Sequence, residues 1–184
     1  MVPDPRNDTP DHGYLDPEQL PRTDRFRIEA PVQTIERTIT VPTPLARVWD
    51  YLVDFTRTEE WDPPTKSTTR VSGDGGVGTV YRNVSNLMGR DVTSDYTVVD
   101  VEPRRLLRLE GENSSMKLRD TITFEGDGAG TTVTYRAEFH PQGAAKLIEP
   151  LLPLGLKRLG DKTSDRLEDC LRGLATTPTQ EEGR

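Results

Sequence analysis

The sequence predicts an α+β fold in which a seven-stranded, curved antiparallel sheet wraps around one long C-terminal helix, with two short helices after the first strand. One helical pattern dominates the end of the chain, up to about Leu174. Before it, segments rich in β-branched and aromatic residues are separated by turn residues at fairly even spacing, as in a meander of strands. Because the connections are short, neighbouring strands are expected to pair antiparallel.

Length and composition indicate one folded domain flanked by polar tails. The 184 residues fit a single domain with tails better than two domains, and the mean hydropathy is −0.69. Residues 1–31 contain six of the 15 prolines, and their seven Asp/Glu against four Arg give a net charge of −3. We therefore expect a disordered N-terminal arm over residues 1–31, a domain over residues 32–175 and a flexible tail over residues 176–184.

Charge and cysteine content exclude several classes of function. The net charge is −7 and no basic stripe is present, which argues against nucleic-acid binding. A lone cysteine, Cys170, rules out an intramolecular disulfide and a multi-thiolate metal site, and no motif implies a metal or a nucleotide cofactor. No apolar run reaches membrane-spanning length and the start of the chain has no signal-peptide core, so we expect a cytoplasmic protein.

The first strand and the short helices are predicted within the first third of the chain. Residues 32–41 alternate in polarity, which indicates a strand. Thr43 is expected to cap a helix that has Pro44 at its first position and continues to Leu52. Asp54 offers a second cap for a further helical turn, which a double proline ends.

Six more strands and the long helix complete the prediction. The helix follows Gly143 and buries a stripe of apolar residues, while Pro150 and Pro153 leave its start undefined. The strands are expected at about residues 65–72, 78–86, 90–102, 105–111, 115–125 and 130–140.

One carboxylate is predicted on an apolar face. On the strand over residues 115–125, alternation places Asp120 among Met116, Leu118, Ile122 and Phe124. An inward carboxylate is costly unless it is paired or hydrogen-bonded, so Asp120 is the sharpest functional candidate. The alternative is a structural Asp at an edge or beside an Arg, because a bulge would shift the alternation by one residue.

The strands over residues 78–86 and 90–102 leave two interpretations open, because apolar residues occur on both of their faces. If Tyr81, Asn83 and Tyr96 point inward, they offer hydrogen-bond partners to a phenol or carbonyl group of a ligand. If Arg82 points inward instead, its guanidinium could hold a carboxylate or an enolate oxygen.

Several stretches of the sequence resemble the START-like, or SRPBCC, superfamily, in the branch that contains polyketide cyclase/dehydrase and lipid-transport proteins. The similarity covers about residues 33–174. The stretches that carry it are ITVPTPLARVWDYL (39–52), Phe55 with Trp61-Asp62-Pro63, GVGTVY (76–81), VEPRRL (101–106), GTTVTYR (130–136) and AKLIEPLL (145–152). The resemblance implies the helix-grip fold of birch-pollen-allergen-like proteins, and it specifies fold better than chemistry.

A curved sheet around one helix also leaves room for an apolar small molecule. Trp61 is expected to pack at the junction of the small helices and the sheet, with a second role in the pocket wall, and Met88 could gate the pocket mouth. The predicted ligand-binding residues are Trp61, Tyr81, Asn83, Tyr96, Met116, Asp120, Tyr135, Leu152, Leu156 and Leu159.

Three functions remain open on the sequence. The first is a carrier or binding protein for a lipid or a polyketide-like metabolite, driven by burial of apolar ligand area. The second is a cofactor-free cyclase, aromatase or dehydrase that moves protons with Asp120, Arg82 or a tyrosine such as Tyr96. The third is a partner-binding module that uses the apolar start of the last helix, around Leu151 and Leu154. A monomer and a homodimer are both compatible with the sequence.

Overall fold

The computed structural model describes residues 32–87, 89–126, 130–143 and 152–176, and the side chains of all of these except residues 152–156 and 176. A 3₁₀ turn, Phe55–Arg57, precedes the second helix. The elements are β1 (Gln33–Val41), α1 (Leu45–Leu52), α2 (Thr58–Trp61), β2 (Thr65–Ser72), β3 (Val80–Leu87), β4 (Arg90–Glu102), β5 (Leu106–Glu112), β6 (Met116–Gly126), β7 (Thr131–Pro141) and α3 (Leu152–Thr176). The predicted α+β fold is confirmed.

The seven strands form one antiparallel sheet in the order β1-β7-β6-β5-β4-β3-β2. From β2 to β7 each strand pairs with its neighbour in sequence, while β1 closes the other edge against β7. The register places Asp120 of β6 between Leu109 of β5 and Ala137 of β7. Side chains that share this row lie on the same face of the sheet.

Strand boundaries differ from the predicted ones by at most two residues. β3 begins at Val80 instead of residue 78, because Gly78 has a φ of 90°, which lies outside the extended region. β5 begins at Leu106, because Arg104 in the preceding turn has a φ of 60°. Turn residues with positive φ thus set where these strands begin.

The predicted cap of α1 is wrong. Pro44 occupies the N-cap position, and no side chain caps the helix. The Thr43 hydroxyl instead donates a hydrogen bond of 2.7 Å to the Leu171 carbonyl of α3. Thr43 therefore ties the start of α1 to the last helix. The second predicted cap is confirmed, because the Asp54 side chain accepts a hydrogen bond from the Thr56 backbone N–H.

α3 packs across β1 along its middle turns. Gly160 makes the close approach possible, because a Cβ atom there would lie 2.6 Å from Cγ2 of Ile35. Beside this contact, Arg37 of β1 donates to Asp161 of α3 at 2.6 Å. The helix ends at Thr176. The first part of the predicted helix, residues 144–151, lies outside the described residues.

The core lies between the concave face of the sheet and the helices. Val48 and Leu52 of α1 and Leu167 and Leu171 of α3 are buried against it. Trp49 packs edge-on against Phe124 with a centroid distance of 5.1 Å. None of the helices that the structure describes is both long and apolar enough to cross a membrane.

Candidate functional site

The structure settles which face of β3 points inward. Tyr81 and Asn83 are buried, whereas Arg82 lies on the outer face with 54% of its side chain exposed. The Arg82 guanidinium donates to both carboxylate oxygens of Asp95, at 2.8 and 3.0 Å. The hypothesis that Arg82 points inward as a catalytic residue is therefore wrong, because the neighbours of Arg82 on β3 occupy the concave face.

Asp120 points inward, as alternation along β6 predicts. It is only 6% exposed, and its Oδ1 atom accepts one hydrogen bond, from the Tyr135 hydroxyl at 3.3 Å. Burial raises the pKa of the Asp120 carboxyl to about 7, and the charge of Asp62 adds to the rise, while the Tyr135 hydrogen bond opposes it. Near neutral pH this group can hold or release a proton.

Tyr135 is held by Trp61 on one side. The two rings meet edge to face with a centroid distance of 5.5 Å, and Trp61 is 2% exposed. This agrees with the expectation that Trp61 packs at the junction of the small helices and the sheet. Burial raises the pKa of the Tyr135 hydroxyl well above its usual value, so the phenol stays protonated and able to donate a hydrogen bond.

Tyr96 of β4 reaches the same region because the strand opposite offers no side chain. Gly111 of β5 pairs with Tyr96, and a Cβ atom there would lie 2.6 Å from Cε1 of the tyrosine ring. The ring also packs against Phe55 at a centroid distance of 5.3 Å. Burial raises the pKa of the Tyr96 hydroxyl well above its usual value, with the charges of Asp120 and Asp62 raising it further.

Asp62 completes the site, and sequence reasoning missed it. The residue follows α2, and its carboxylate accepts hydrogen bonds from the hydroxyls of Thr65 at 2.6 Å and Thr163 of α3 at 3.3 Å. Burial raises its pKa, and these two hydrogen bonds and the charge of Arg166 oppose the rise. The available signal was weak: a carboxylate directly after a helical turn, where the exposed carbonyl groups disfavour negative charge.

We call Asp62, Tyr96, Asp120 and Tyr135 the acid–tyrosine cluster. Its members come from the end of α2 and from three strands, and the charges of Asp62 and Asp120 raise the pKa values of other members. Within the described ranges, no group of three or more His, Cys, Asp or Glu side chains could hold a metal ion. The cluster instead offers carboxyl and phenol groups, which can exchange hydrogen bonds or protons with a bound molecule.

Asn83 is connected to the acid–tyrosine cluster through hydrogen bonds that pass by way of Thr65. Its side-chain amide donates to the Thr65 and Thr68 hydroxyls at 3.1 and 2.9 Å, and its Oδ1 accepts a hydrogen bond from Ser85 at 2.6 Å. Thr65 in turn donates to Asp62. With every polar atom already bonded, Asn83 acts on the site through Thr65, so the prediction that it contacts a ligand directly is not supported.

Tyr81 lies opposite Tyr96 in the strand register but has no surface that a ligand could contact. It is completely buried and packs against Phe55 with a centroid distance of 5.6 Å. Its hydroxyl has no hydrogen-bond partner in the part of the chain that the structure describes, and the Arg70 guanidinium carbon lies 5.9 Å from the ring centroid. A ligand could reach Tyr81 only if the surrounding side chains moved.

The remaining inward positions keep some accessible surface. Met116 and Leu118 of β6, Phe139 of β7 and Leu159 of α3 are half-buried. Tyr96 and Tyr135 are half-buried as well, although burial dominates the pKa rise of both. The side chains of Leu152 and Leu156, and all of Met88, lie outside the described residues.

A groove elsewhere on the surface shares no residue with the cluster. It has a volume of about 580 Å³ and lies at the far end of β1, β6 and β7, where Thr40, Pro42, Glu125, Thr132 and Arg172 contribute to its lining. Most of these residues are exposed. The groove offers no buried titratable group, so the acid–tyrosine cluster is the better candidate site.

The fold is shared with solved structures of low sequence identity. The ZhuI aromatase/cyclase from Streptomyces sp. R1128 matches with a TM-score of 0.65 and 18% identity, over 79% of this chain and 94% of that chain. A START superfamily protein from Mycobacterium smegmatis matches with a TM-score of 0.58 and 12% identity, over 74% and 98%. Ara h 8.0201 matches with a TM-score of 0.52 and 18% identity, over 76% and 99%.

A family model gives the more specific result. No curated protein matches the sequence significantly. The model described as polyketide cyclase / dehydrase and lipid transport matches residues 32–172, and the predicted resemblance is thereby confirmed. The chain belongs to the polyketide cyclase / dehydrase and lipid transport family.

Proposed function

We propose that the protein binds a hydrophobic small molecule between α3 and the concave face of the sheet, with the acid–tyrosine cluster at the polar end of the ligand. The observation that carries this proposal is the hydrogen-bonded pair of Asp120 and Tyr135 on the otherwise apolar inward faces of β6 and β7. Apolar pockets with a few convergent polar groups are typical small-molecule sites.

The partly accessible side chains around the pair support a cavity at this place. Met116, Leu118 and Phe139 point inward from β6 and β7, yet they remain half-buried. An inward side chain that still has accessible surface is available for contact with a ligand. Covering that surface with an apolar ligand stabilises the complex by about 25 cal/mol for each Å² removed from water.

The family supports a role in hydrophobic ligand binding or cyclisation. Its description names both polyketide cyclases and lipid transport, and one structural neighbour is an aromatase/cyclase. Fold similarity at this level of identity does not assign a reaction. The proposal therefore rests on the cluster of this chain, and binding is the property that both functions share.

A binding assay with cavity-filling variants tests the proposal. The neutral dye N-phenyl-1-naphthylamine gains fluorescence in an apolar site, and the wild-type protein is expected to bind it saturably. Met116→Trp and Leu118→Trp place an indole on the inward face of β6 and are expected to weaken dye binding at least about tenfold, since contacts worth about 1.4 kcal/mol are lost.

Lys117→Trp is the matched control, because Lys117 is exposed on the outer face of the same strand. This variant is expected to bind the dye as the wild type does. Thermal unfolding of all three variants shows whether each is folded. Equal dye binding by Leu118→Trp and Lys117→Trp, with both folded, would contradict a cavity at this place.

Proton transfer in the same site is the second candidate function, and the pKa of Asp120 favours it. A carboxyl with a pKa of about 7 is matched to general acid–base catalysis near neutral pH. In such a reaction the Asp120 carboxylate removes a proton from carbon between two carbonyl groups, and a tyrosine hydroxyl donates a hydrogen bond to the enolate oxygen. Aldol cyclisation of a poly-ketone chain begins with this step, and dehydration of the resulting β-hydroxy ketone removes a proton from the same kind of carbon.

Hydrogen–deuterium exchange separates catalysis from binding. With 1-phenyl-1,3-butanedione in D₂O, a catalyst accelerates exchange at C2, which NMR measures directly. Asp120→Asn is expected to remove the acceleration by at least about 100-fold, the usual contribution of a general base. A pure carrier binds the diketone and leaves its exchange rate unchanged.

A further inference from the structure

The acid–tyrosine cluster contains two carboxyl groups and no cationic partner for Asp120 among the described residues. The groups that shift the pKa of Asp120 are Asp62 and the neutral Tyr135. Arg166 is the one cation that influences Asp62, and its side chain lies on the exposed face of α3. The site is therefore short of positive charge.

Several arginines of the sheet do not supply this charge, because they form ion pairs elsewhere. Arg82, Arg108 and Arg119 form ion pairs on the outer face of the sheet, with Asp95, Asp100 and Glu110 as their partners. On the inner face, Arg37 pairs with Asp161 of α3 at 2.6 Å. Among the described residues, these pairings leave Asp120 without a guanidinium partner.

Two polar groups of the cluster are also incompletely hydrogen-bonded. Asp120 is 94% buried, since 6% is exposed, and its single hydrogen bond of 3.3 Å involves only Oδ1. Within the described part of the chain, its Oδ2 atom has no donor. The Tyr96 hydroxyl likewise makes no hydrogen bond there. The Oδ2 atom is therefore free to accept a hydrogen bond from a donating ligand, which would add to the stability of the complex.

The aromatic rings around the carboxyls suit a positive charge as well. Tyr96 and Tyr135 are half-buried beside Asp120, and their rings are oriented by Phe55 and Trp61 respectively. Ring faces attract organic cations through their quadrupole, and the attraction increases when water is excluded. Carboxylate and aromatic groups thus favour the same kind of ligand.

We infer that the ligand carries a protonated amine on an apolar body, with the ammonium group donating to Asp120 and lying against Tyr96 and Tyr135. This inference rests on the proposed function, because it names the chemical class of the molecule that occupies the same site. An ammonium group supplies both the missing charge and the missing donors. A ligand carboxylate would instead add a third acidic group to a buried site and is disfavoured.

Three naphthalenes of nearly equal size test this inference. They are 2-(2-naphthyl)ethylamine, 2-(2-naphthyl)ethanol and 2-naphthylacetic acid, each used to displace N-phenyl-1-naphthylamine at pH 7.5 and about 0.15 M salt, which screens charges beyond roughly 8 Å. The amine is expected to bind at least about tenfold more tightly than the acid, with the alcohol between them, since hydrogen bonds between charged groups are roughly twice as strong as neutral ones.

Substitutions test whether the preference for the amine over the acid arises at Asp120. Asp120→Asn is nearly isosteric and is expected to reduce the amine-to-acid ratio to within about twofold of unity while the alcohol still binds, because the charge-assisted hydrogen bond is lost. Tyr96→Phe keeps the ring and serves as a second variant. Asp95→Asn is the matched control, because Asp95 precedes Tyr96 on β4 but faces outward, and it should keep the wild-type ratio.

The outcomes separate the two proposals. If the wild-type protein does not bind the neutral dye, the proposed binding function fails and the inference fails with it. If the dye binds but the acid competes as well as the amine, the inference alone is overturned. An unchanged amine-to-acid ratio in Asp120→Asn, or an equal loss in Asp95→Asn, would overturn it too, because the preference would then come from general surface charge.

Discussion

The two ends of the concave face differ in how deeply their side chains are buried, although β6 and β7 contribute to both. Where β6 and β7 face α1 and the last turns of α3, Ile122 and Val133 have no exposed surface and Phe124 is 3% exposed. Towards the other end of these strands, Leu118 and Phe139 point the same way but are half-buried. We call the two regions the packed end and the open end.

The helix contacts explain the difference. At the packed end, α3 is fixed by the hydrogen bond from Thr43 to Leu171 and by that from Arg47 to the Leu174 carbonyl at 2.7 Å. Leu167 and Leu171 fill the space beneath it. Asp120 lies between the two regions, with Ile122 on the packed side and Leu118 on the open side. The packed end thus stabilises the fold, while the proposed ligand site lies at the open end.

The largest expected effect comes from truncating a phenylalanine at each end. Phe124→Ala is expected to lower the free energy of unfolding by about 3–5 kcal/mol, because it leaves a cavity beside Trp49. Phe139→Ala should cost only about 1 kcal/mol, since less of its ring is withdrawn from water. Urea denaturation measures both. Equal losses would show that the two ends are packed alike.

The pH dependence of stability tests the position of Asp120 between the two ends. Its pKa rises from 3.8 to about 7 on folding, so between these pH values the folded state holds a proton that the unfolded state releases. The contribution of this group to stability is therefore full at low pH. It falls by up to about 1.4 kcal/mol per pH unit as the pH rises towards 7, and it is constant above that.

Asp120→Asn is expected to flatten this fall, so that its stability relative to the wild type increases from pH 5 to pH 8. Urea midpoints at several pH values provide the measurement. Asp95→Asn is a suitable control, because Asp95 is exposed and its pKa is lowered by the Arg82 hydrogen bonds. Parallel curves for wild type and Asp120→Asn would show that Asp120 is well solvated.

Adding a methyl group at Gly111 tests how Tyr96 is positioned at the open end. Gly111→Ala places a Cβ atom against the Tyr96 ring, which must move, and overpacking of this kind costs about 1–3 kcal/mol. In a Tyr96→Ala background the same change should cost much less, because the clash is gone. A double-mutant cycle by urea denaturation gives the coupling, and additive losses would rule out the contact.

The smallest effect is expected on the outer face of the sheet. Arg82→Ala removes an exposed ion pair with Asp95 and should leave the free energy of unfolding nearly unchanged, because solvent and salt screen such a pair. Dye binding should be unchanged, because the side chain points away from the open end. Loss of binding in a folded Arg82→Ala protein would mean that the outer face contributes to the site.

Sequence reasoning found three of the four cluster residues. Asp120 and Tyr135 follow from alternation along single strands, because side chains two apart share a face, whereas Tyr96 was predicted only as one of two alternatives. Asp62 could not be found in this way: it joins the cluster only because α2 ends beside β2 and Thr163 of α3 reaches it across 101 positions of sequence. The inward alternative for Arg82 failed for a related reason, since β3 carries apolar residues on both faces and only its neighbours decide which face is covered.

By itself, the sequence determined the order of the elements, the antiparallel meander and the inward side of β6 and β7, because these depend on short connections and on a two-residue period. Only the tertiary structure decided where the concave face is filled and where it stays open. That depends on how closely α3 approaches the sheet. Contacts such as those of Gly160 with Ile35 and of Thr43 with Leu171 determine this approach, and each joins residues more than 120 positions apart in the sequence. Local patterns carry no information about such distances, because each contact joins residues that have no periodic relation in the chain.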